Sequence, residues 1–249
     1  MAELVHYAVA DEVATITLDS PHNRNALSRQ LVTELVSHLE SAAADAAVKV
    51  VLLRSAGRVF CSGADLSEVA GADSADQGVK AIVHLQRLLA TLPKPVVVEL
   101  RGPVRAGGLG IVGAADIVVA EASVNFALTE VRLALAPSVI SLSLLTRFTS
   151  RAAADLFLTG RTFDAAEAAS AGLITRVVPE DGWLESEITA VIDDLRAGHP
   201  QGHRETKALL NHDLVARIDA LGDEVAAQSA RLFGSDEARK AITAFLTKK

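Results

Sequence analysis

Apolar and polar residues alternate at the start of the chain: Val5, Tyr7 and Val9, then Ala14, Ile16 and Leu18. Alternation with a period of two puts one face of an extended strand in a core, so two strands are predicted, with a turn at Asp11-Glu12. A polar loop covers residues 19–25. Ser28 then stands as the N-cap of a segment in which Leu31, Leu35 and Leu39 recur at helical spacing. Residues 48–53 form a short apolar run of strand length, and a loop over 55–65 follows. The small, polar stretch 70–78 predicts a mobile loop, and 80–92 predicts a helix ended by Pro93.

The pattern then repeats. Residues 95–100 read as a strand, 101–108 as a glycine-rich turn, the next residues as a short helix to Ala115, and 116–120 as another strand. Strand, glycine turn and helix therefore occur twice, without clear sequence identity between the copies. From Ser138 onward helices dominate, with one strand-like piece over 176–178. The last stretch, 235–248, opens with Ser, Asp and Glu and closes with lysine, the polarity that a helix dipole favours. A soft boundary near Asp194, before the Gly198-His-Pro200 break, divides the chain into 1–193 and 194–249.

Composition narrows the function classes. Over 249 residues there is one cysteine, Cys61, which excludes an internal disulfide framework and a multi-cysteine zinc site and suits a reducing compartment. Lys and Arg number 24 against 31 Asp and Glu, a formal charge of −7, which disfavours nucleic acid as a partner. No apolar run approaches the roughly 20 residues of a membrane span. The first residues lack a basic region and a long apolar core, so a cytoplasmic location without membrane association is expected.

Candidate chemistry lies in the turns. Gly108-Leu-Gly110-Ile-Val-Gly113 matches a dinucleotide-binding pattern, but the preceding strand ends eight residues upstream and the helix is too short for such a unit. Those glycines read better as close-packing positions. Gly107 and Gly108 fall where a helix begins, and unpaired N–H groups there point at an anion or a developing oxyanion. Ser62-Gly63-Ala64-Asp65 is a second small-residue turn between strand and helix, with Asp65 as a candidate N-cap. There is no G-x-S-x-G elbow, and Cys61 reads as a buried small residue. No carboxylate–histidine cluster suggests a metal. Glu130 sits among apolar residues in 126–137, and burial would raise its pKa toward neutrality and make it a proton carrier.

These pieces in register resemble the crotonase superfamily, the enoyl-CoA hydratase/isomerase family. The likeness is carried by Asn25-Ala-Leu27, Phe60-Cys-Ser-Gly-Ala-Asp-Leu66, Ala106-Gly-Gly108 with Asp116, the stretch from Phe126 to Pro137, Leu158-Thr-Gly160, Ala165-Ala-Glu-Ala168 and Gly172-Leu-Ile174. It implies an α/β fold, a crotonase-like spiral of repeated ββα units, with a helical C-terminal region that builds a homotrimer or hexamer. It implies an acyl-CoA thioester as substrate, coenzyme A entering only as part of that substrate, and no separate cofactor. By position, the N–H groups of Ala64 and Gly107 would hold the thioester oxygen and Glu130 would carry the proton. His22, Arg24, Ser62, Gly63, Asp65, Leu66 and Gly108 match coenzyme A or substrate contacts. Phe245 and Lys248 resemble C-terminal residues that reach a neighbouring subunit's ligand.

One departure bears on the reaction. Family hydratases usually carry two glutamates, and the first falls at Gly110, which has no side chain. Hydration needs a positioned water, a base and an acid, whereas double-bond migration needs one group that moves a proton between C2 and C4. The missing carboxylate therefore favours isomerisation. The stretches from Arg105 and from Glu130 also resemble branched-chain glutaconyl-CoA hydratases, some of which have glycine at the place of Gly110, and in which Glu130 would work with a water held by backbone or by Ser138 or Thr129. Asp65 and Glu68 are candidate replacement acids, better read as capping or solvent-facing groups. The alternative function is a catalytically impaired acyl-CoA-binding member of the family.

Overall fold

Val5–Ala10 (β1) and Val13–Leu18 (β2) form a hairpin in which Val5 lies opposite Leu18. Its two turn residues, Asp11 and Glu12, both have positive φ, 48° and 65°, the backbone that a two-residue hairpin turn needs. The computed structural model describes residues 2–68, 72–179 and 182–247. Ser28 caps Arg29–Ala44 (α1) by accepting the Leu31 N–H, and α1 buries Leu31, Leu35 and Leu39. This helix carries the chain to Val50–Ser55 (β3), which runs parallel to β2. Ala72–Thr91 (α2) makes the next crossover, to Val96–Leu100 (β4), parallel to β3. A parallel pair requires a long connection of this kind.

Val104–Arg105 (β5) and Gly107–Ala114 (α3) then lead to Ile117–Glu121 (β6), which lies beside β4. Asn125–Ala127 (β7), a 3-10 turn over Thr129–Leu133, Ser141–Arg147 (α4) and Ser150–Thr159 (α5) follow. Thr162–Asp164 (β8), Ala165–Ala171 (α6) and Arg176–Val178 (β9) complete the strands. The larger sheet has the order β1-β2-β3-β4-β6-β9, and the smaller has β5-β7-β8. The helices Trp183–Ala197 (α7), Pro200–Leu210 (α8), His212–Phe233 (α9) and Asp236–Thr247 (α10) close the chain.

Strands β3 and β4 are near-continuous apolar runs because the sheet is covered on both faces. One face packs on α1, α2 and α3. The other packs on Leu184, Ile188 and Val191 of α7, which meet Val50, Leu52, Val97 and Val119. Helix α9 lies along α2, where Leu214 and Ile218 meet Ala90 and Leu142.

The structure changes several expectations. The stretch 70–78 does not remain a loop from Ala72 on, because α2 begins there; Ala70 itself lies outside the described residues. Small polar residues lowered the apparent periodicity, yet the helix continues through them into the apolar stripe that follows. Strands β5, β7 and β8 have two or three residues each, too few for a period-two pattern to show. Asp194 lies inside α7, which ends at Ala197 just before the Gly198–Pro200 break.

A buried ionic knot ties the C-terminal helices to the sheet. Asp116 accepts from the Val96 N–H at 2.7 Å, from Lys207 Nζ at 2.7 Å and from Asn211 Nδ2 at 3.2 Å. Lys207 Nζ also donates to Lys94 O at 3.0 Å, and burial pulls its pKa down against the pull of Asp116. Asn211 Oδ1 accepts from Arg147, whose Nε donates to Gly113 O at 3.0 Å, near the C-terminal end of α3. Removing one member leaves the other charge buried and unpaired. Asp116→Ala is therefore expected to lower stability by about 3–5 kcal/mol in urea unfolding, a larger loss than at the exposed pair Arg87–Asp219.

Candidate active site

Two turns meet at the top of β3 and the start of α3. The loop before Asp65 is stitched to the loop after β2. The Ser62 N–H donates to Arg24 O at 3.1 Å, Ser62 Oγ to Asn23 O at 2.9 Å, and the Leu27 N–H to Gly63 O at 2.8 Å. Arg24 and Asn25 both sit in the left-handed region, φ 59° and 54°. Asn25 holds that conformation by accepting from the Ser20 N–H at 2.6 Å and donating to Val59 O at 2.9 Å. The same loop is joined to β5, since the Arg105 N–H donates to Cys61 O at 2.9 Å.

Close contact follows from this stitching. Gly63, at φ +96°, has no room for a side chain, because a Cβ there would lie 2.8 Å from that of Ala106. A Cβ on Gly108 would lie 2.7 Å from that of Cys61. Ala106 has φ 46° and ψ −120°, a costly backbone for a residue with a Cβ. That conformation turns the chain from β5 into α3 in one step. A Cβ built on Gly107 would sit 3.8 Å from the Ala64 nitrogen, which brings the backbones that carry the Gly107 and Ala64 N–H groups close together. Neither donates to an acceptor among the described residues. Two adjacent unpaired donors, one at a helix start, make a receptor for an oxyanion.

Ala64 and Gly107 both line a cavity of about 1300 Å³ whose wall also includes Arg24, Glu130, Ile140 and Phe245. Glu130 comes from the 3-10 turn after β7. The residue keeps partial exposure to the cavity, but its Oε2 is shut off from solvent and has no hydrogen-bond partner among the described residues. Burial pushes its pKa up to about 7, and a donation from its own backbone N–H acts weakly the other way. A carboxyl with one unpartnered oxygen that titrates near neutrality is suited to taking up and returning a proton.

The other expected residues divide. Ser62, Asp65 and Leu66 line the wall with those above, whereas Gly63 and Gly108 do not line it; they supply the close packing between the two turns. His22 is exposed, outside the wall, with its ring against Ser20 Oγ. Asp65 caps no helix. Its Oδ1 accepts from the Ser67 N–H and hydroxyl, and its Oδ2 accepts from Asn23 Nδ2 at 3.0 Å. Burial raises its pKa, but these donations together hold it below the ordinary carboxylate value. Glu68 accepts the Arg29 N–H at 2.8 Å, so neither acid is placed as a free proton carrier. Phe245 lines the cavity of its own chain, because α10 folds back onto the turn that bears Glu130. Lys248 lies outside the described residues.

Sequence reasoning missed Ile140 and Gln86. Gly110 is buried, and a Cβ there would lie 2.9 Å from Ile140 Cγ2 and 3.4 Å from the Gln86 amide carbon. Gln86 is itself buried; its Nε2 donates to Val139 O at 3.1 Å and its Oε1 accepts from Ser143 Oγ at 2.7 Å. No local motif links positions 86, 110 and 140, since α2, α3 and α4 converge only in the fold. Among the described residues no group of three metal-ligating side chains forms, and no helix is long and apolar enough to cross a membrane.

Cys61 is fully buried, and burial pushes its thiol up to about 12. A thiol in that state is no nucleophile at neutral pH. A thiol reagent at pH 7 is expected to label Cys61 only after denaturation; labelling of the native protein at the rate of a free thiol would contradict this burial.

Comparison with known proteins agrees with the geometry. The family model for enoyl-CoA hydratase/isomerase matches residues 9–249. The crystal structure of an enoyl-CoA hydratase from Mycobacterium avium superposes with a TM-score of 0.91 at 43% identity, covering 100% of this chain and 98% of that one. The 2,3-dehydroadipyl-CoA hydratase of Escherichia coli K12 is 30% identical over 254 residues, which cover 100% of this chain and 97% of the relative. A peroxisomal Delta(3,5)-Delta(2,4)-dienoyl-CoA isomerase of Arabidopsis thaliana is 27% identical, covering 99% of this chain and 94% of the relative. The α/β architecture, the paired turns and the match over nearly the whole chain place it among enzymes that act on enoyl-CoA thioesters: the chain belongs to the enoyl-CoA hydratase/isomerase family.

Proposed function

We propose that the protein moves the double bond of an enoyl-CoA thioester by way of an enolate. The thioester oxygen is received by the N–H groups of Ala64 and Gly107. Glu130 removes a proton from C2 of a 3-enoyl thioester, the double bond shifts to C2=C3, and the same carboxyl returns the proton to C4. One group suffices because donor and acceptor carbons share one face of the acyl chain. The observation that carries this reading is the solvent-shielded, unpartnered Oε2 of Glu130 in the cavity wall. Fixed backbone donors need no reorganisation as charge develops, and one such donor is worth roughly 3–4 kcal/mol of barrier. Coenzyme A enters as part of the substrate, and no separate cofactor takes part.

Hydration is the second reading, favoured by the hydratase relatives. It requires a water beside Glu130, held by backbone or by a wall hydroxyl such as Ser138 or Thr129. Arg24, Ser62, Asp65 and Leu66 belong to the coenzyme A side of the cavity, with His22 at its outer edge. Phe245 closes the cavity from within its own chain, and Lys248 is the further C-terminal candidate for a ligand contact. We place the helices beyond residue 193 as the region that supports a trimer or hexamer, in a cytoplasmic enzyme.

Glu130→Gln is expected to lower turnover by at least about a hundredfold while an acyl-CoA still binds, measured by calorimetry beside the assay. Wild-type turnover in that variant would refute the reading. An acyl-CoA-binding protein without activity would instead bind 2-enoyl and 3-enoyl thioesters and convert neither. Formation of a 3-hydroxyacyl product would establish hydration, and formation of a 2-enoyl product from a 3-enoyl thioester would establish isomerisation.

The pH dependence has a definite sign. Glu130 must be ionised to take a proton, so kcat/KM is expected to rise with pH through about 7 and then level off. Its folded pKa is raised above the unfolded value of 4.5, so its contribution to stability is full below that value and lost as pH rises through about 7. Glu130→Gln is expected to flatten this part of the stability profile, followed by urea midpoints between pH 5 and 8.

A further inference from the structure

The wall facing α3 is apolar where a second proton-handling group would have to stand. Gly110 lies one helical turn beyond Gly107, on the helix whose first N–H faces the cavity. The direction of its absent side chain is occupied by the Cγ2 methyl of Ile140, 2.9 Å from where a Cβ would be. Ile140 is 2% exposed as a residue, yet it belongs to the cavity wall, whereas Gly110 and Gln86 behind it do not. The polar atoms behind the methyl are already engaged. Gln86 Nε2 donates to Val139 O, Gln86 Oε1 accepts from Ser143 Oγ, and Ser143 Oγ also lies 3.3 Å from Gly110 O. A water held against this wall would face the Ile140 methyl, and the Gln86 and Ser143 groups behind it are already bonded. Buried water needs two to four polar partners.

We infer that Ile140 is a specificity-determining residue: its Cγ2 methyl, seated over Gly110, keeps an attacking water out of this wall and directs the enzyme to proton transfer within the acyl chain. The inference rests on the proposed reading of Glu130 as the proton carrier. The two reactions differ in what they require. Migration breaks a C2–H bond and forms a C4–H bond through the same carboxyl, with no net addition. Hydration of a 2-enoyl thioester consumes one water, forming a C3–O bond from its oxygen and a C2–H bond. Only the second reaction needs room and polar partners for water next to the acyl chain.

The test is the ratio of two initial rates from one preparation: hydration of a 2-enoyl-CoA against isomerisation of the 3-enoyl-CoA of equal length. A ratio is independent of the fraction of protein that is folded. Ile140→Ala, which removes the methyl, is expected to raise the ratio roughly tenfold, a change of about 1.4 kcal/mol between the two barriers. Ile140→Val, which keeps a γ-methyl over Gly110, is expected to leave the ratio within about twofold. Should Ile140→Ala yield no soluble protein, the pair Gly110→Glu with Ile140→Gly supplies the other arm. It places a carboxylate where the methyl stood and is expected to raise the ratio at least as far. An unchanged ratio in the soluble variant that opens the wall overturns the inference, and so does an equal change in Ile140→Val. Turnover that survives Glu130→Gln would overturn the reading beneath it instead, so the two failures are told apart.

Discussion

The close approach of two backbone turns, 62–65 and 106–108, is the constraint on which the rest of the site depends. Two main chains come this near only where side chains are absent or very small. A Cβ on Gly63 or Gly108 would meet the Cβ of Ala106 or Cys61 at less than 3.0 Å. The approach is secured from outside by hydrogen bonds from the 23–27 loop and from β5, and by the buried thiol of Cys61 between them. Its product is a pair of backbone donors, at Ala64 and Gly107, that no acceptor among the described residues satisfies. Their direction is set by the backbone, so they are ready for a developing negative charge before it appears.

Holding that geometry has a cost. Ala106 occupies a positive-φ conformation that disfavours any residue with a side chain, by about 1–3 kcal/mol. Asn25 and Arg24 are in the left-handed region close by. The surrounding structure over-determines these angles. Helix α3 is buried along almost its whole length, and Arg147 binds carbonyls at its far end. Through Asn211, Asp116 and Lys207 that end is joined to the sheet and to the C-terminal helices. The strained turn is thus the near end of a rigid rod whose far end is fixed in a buried ionic knot.

The proton-handling half of the site follows a different logic. Backbone donors tolerate many sequences, but a carboxyl acts through its surroundings. Glu130 is placed on a short 3-10 turn among apolar residues, and desolvation brings its pKa near neutrality. Across the cavity the wall at Gly110 is closed by Ile140 and backed by a satisfied Gln86–Ser143 pair. An acyl chain bound as proposed would meet a titratable group at Glu130 and a methyl at Ile140.

Periodicity alone determined much of this protein: the β1–β2 hairpin, the capped helix from Arg29, the buried runs at β3 and β4, and a C-terminal region of helices. Those features depend on local spacing, which a linear chain displays directly. The two small-residue turns and Glu130 were legible as types of group for the same reason, and in register they carried the family likeness. The tertiary structure alone decided what surrounds them. The short strands of the second sheet, the continuation of α2 through a polar stretch, Asp65 bound to Asn23 instead of capping a helix, and Phe245 turned into its own chain's cavity all depend on distant partners. The meeting of Gly110, Ile140 and Gln86 is the clearest case. A missing side chain can be read from sequence, but what fills its place depends on three helices converging in space.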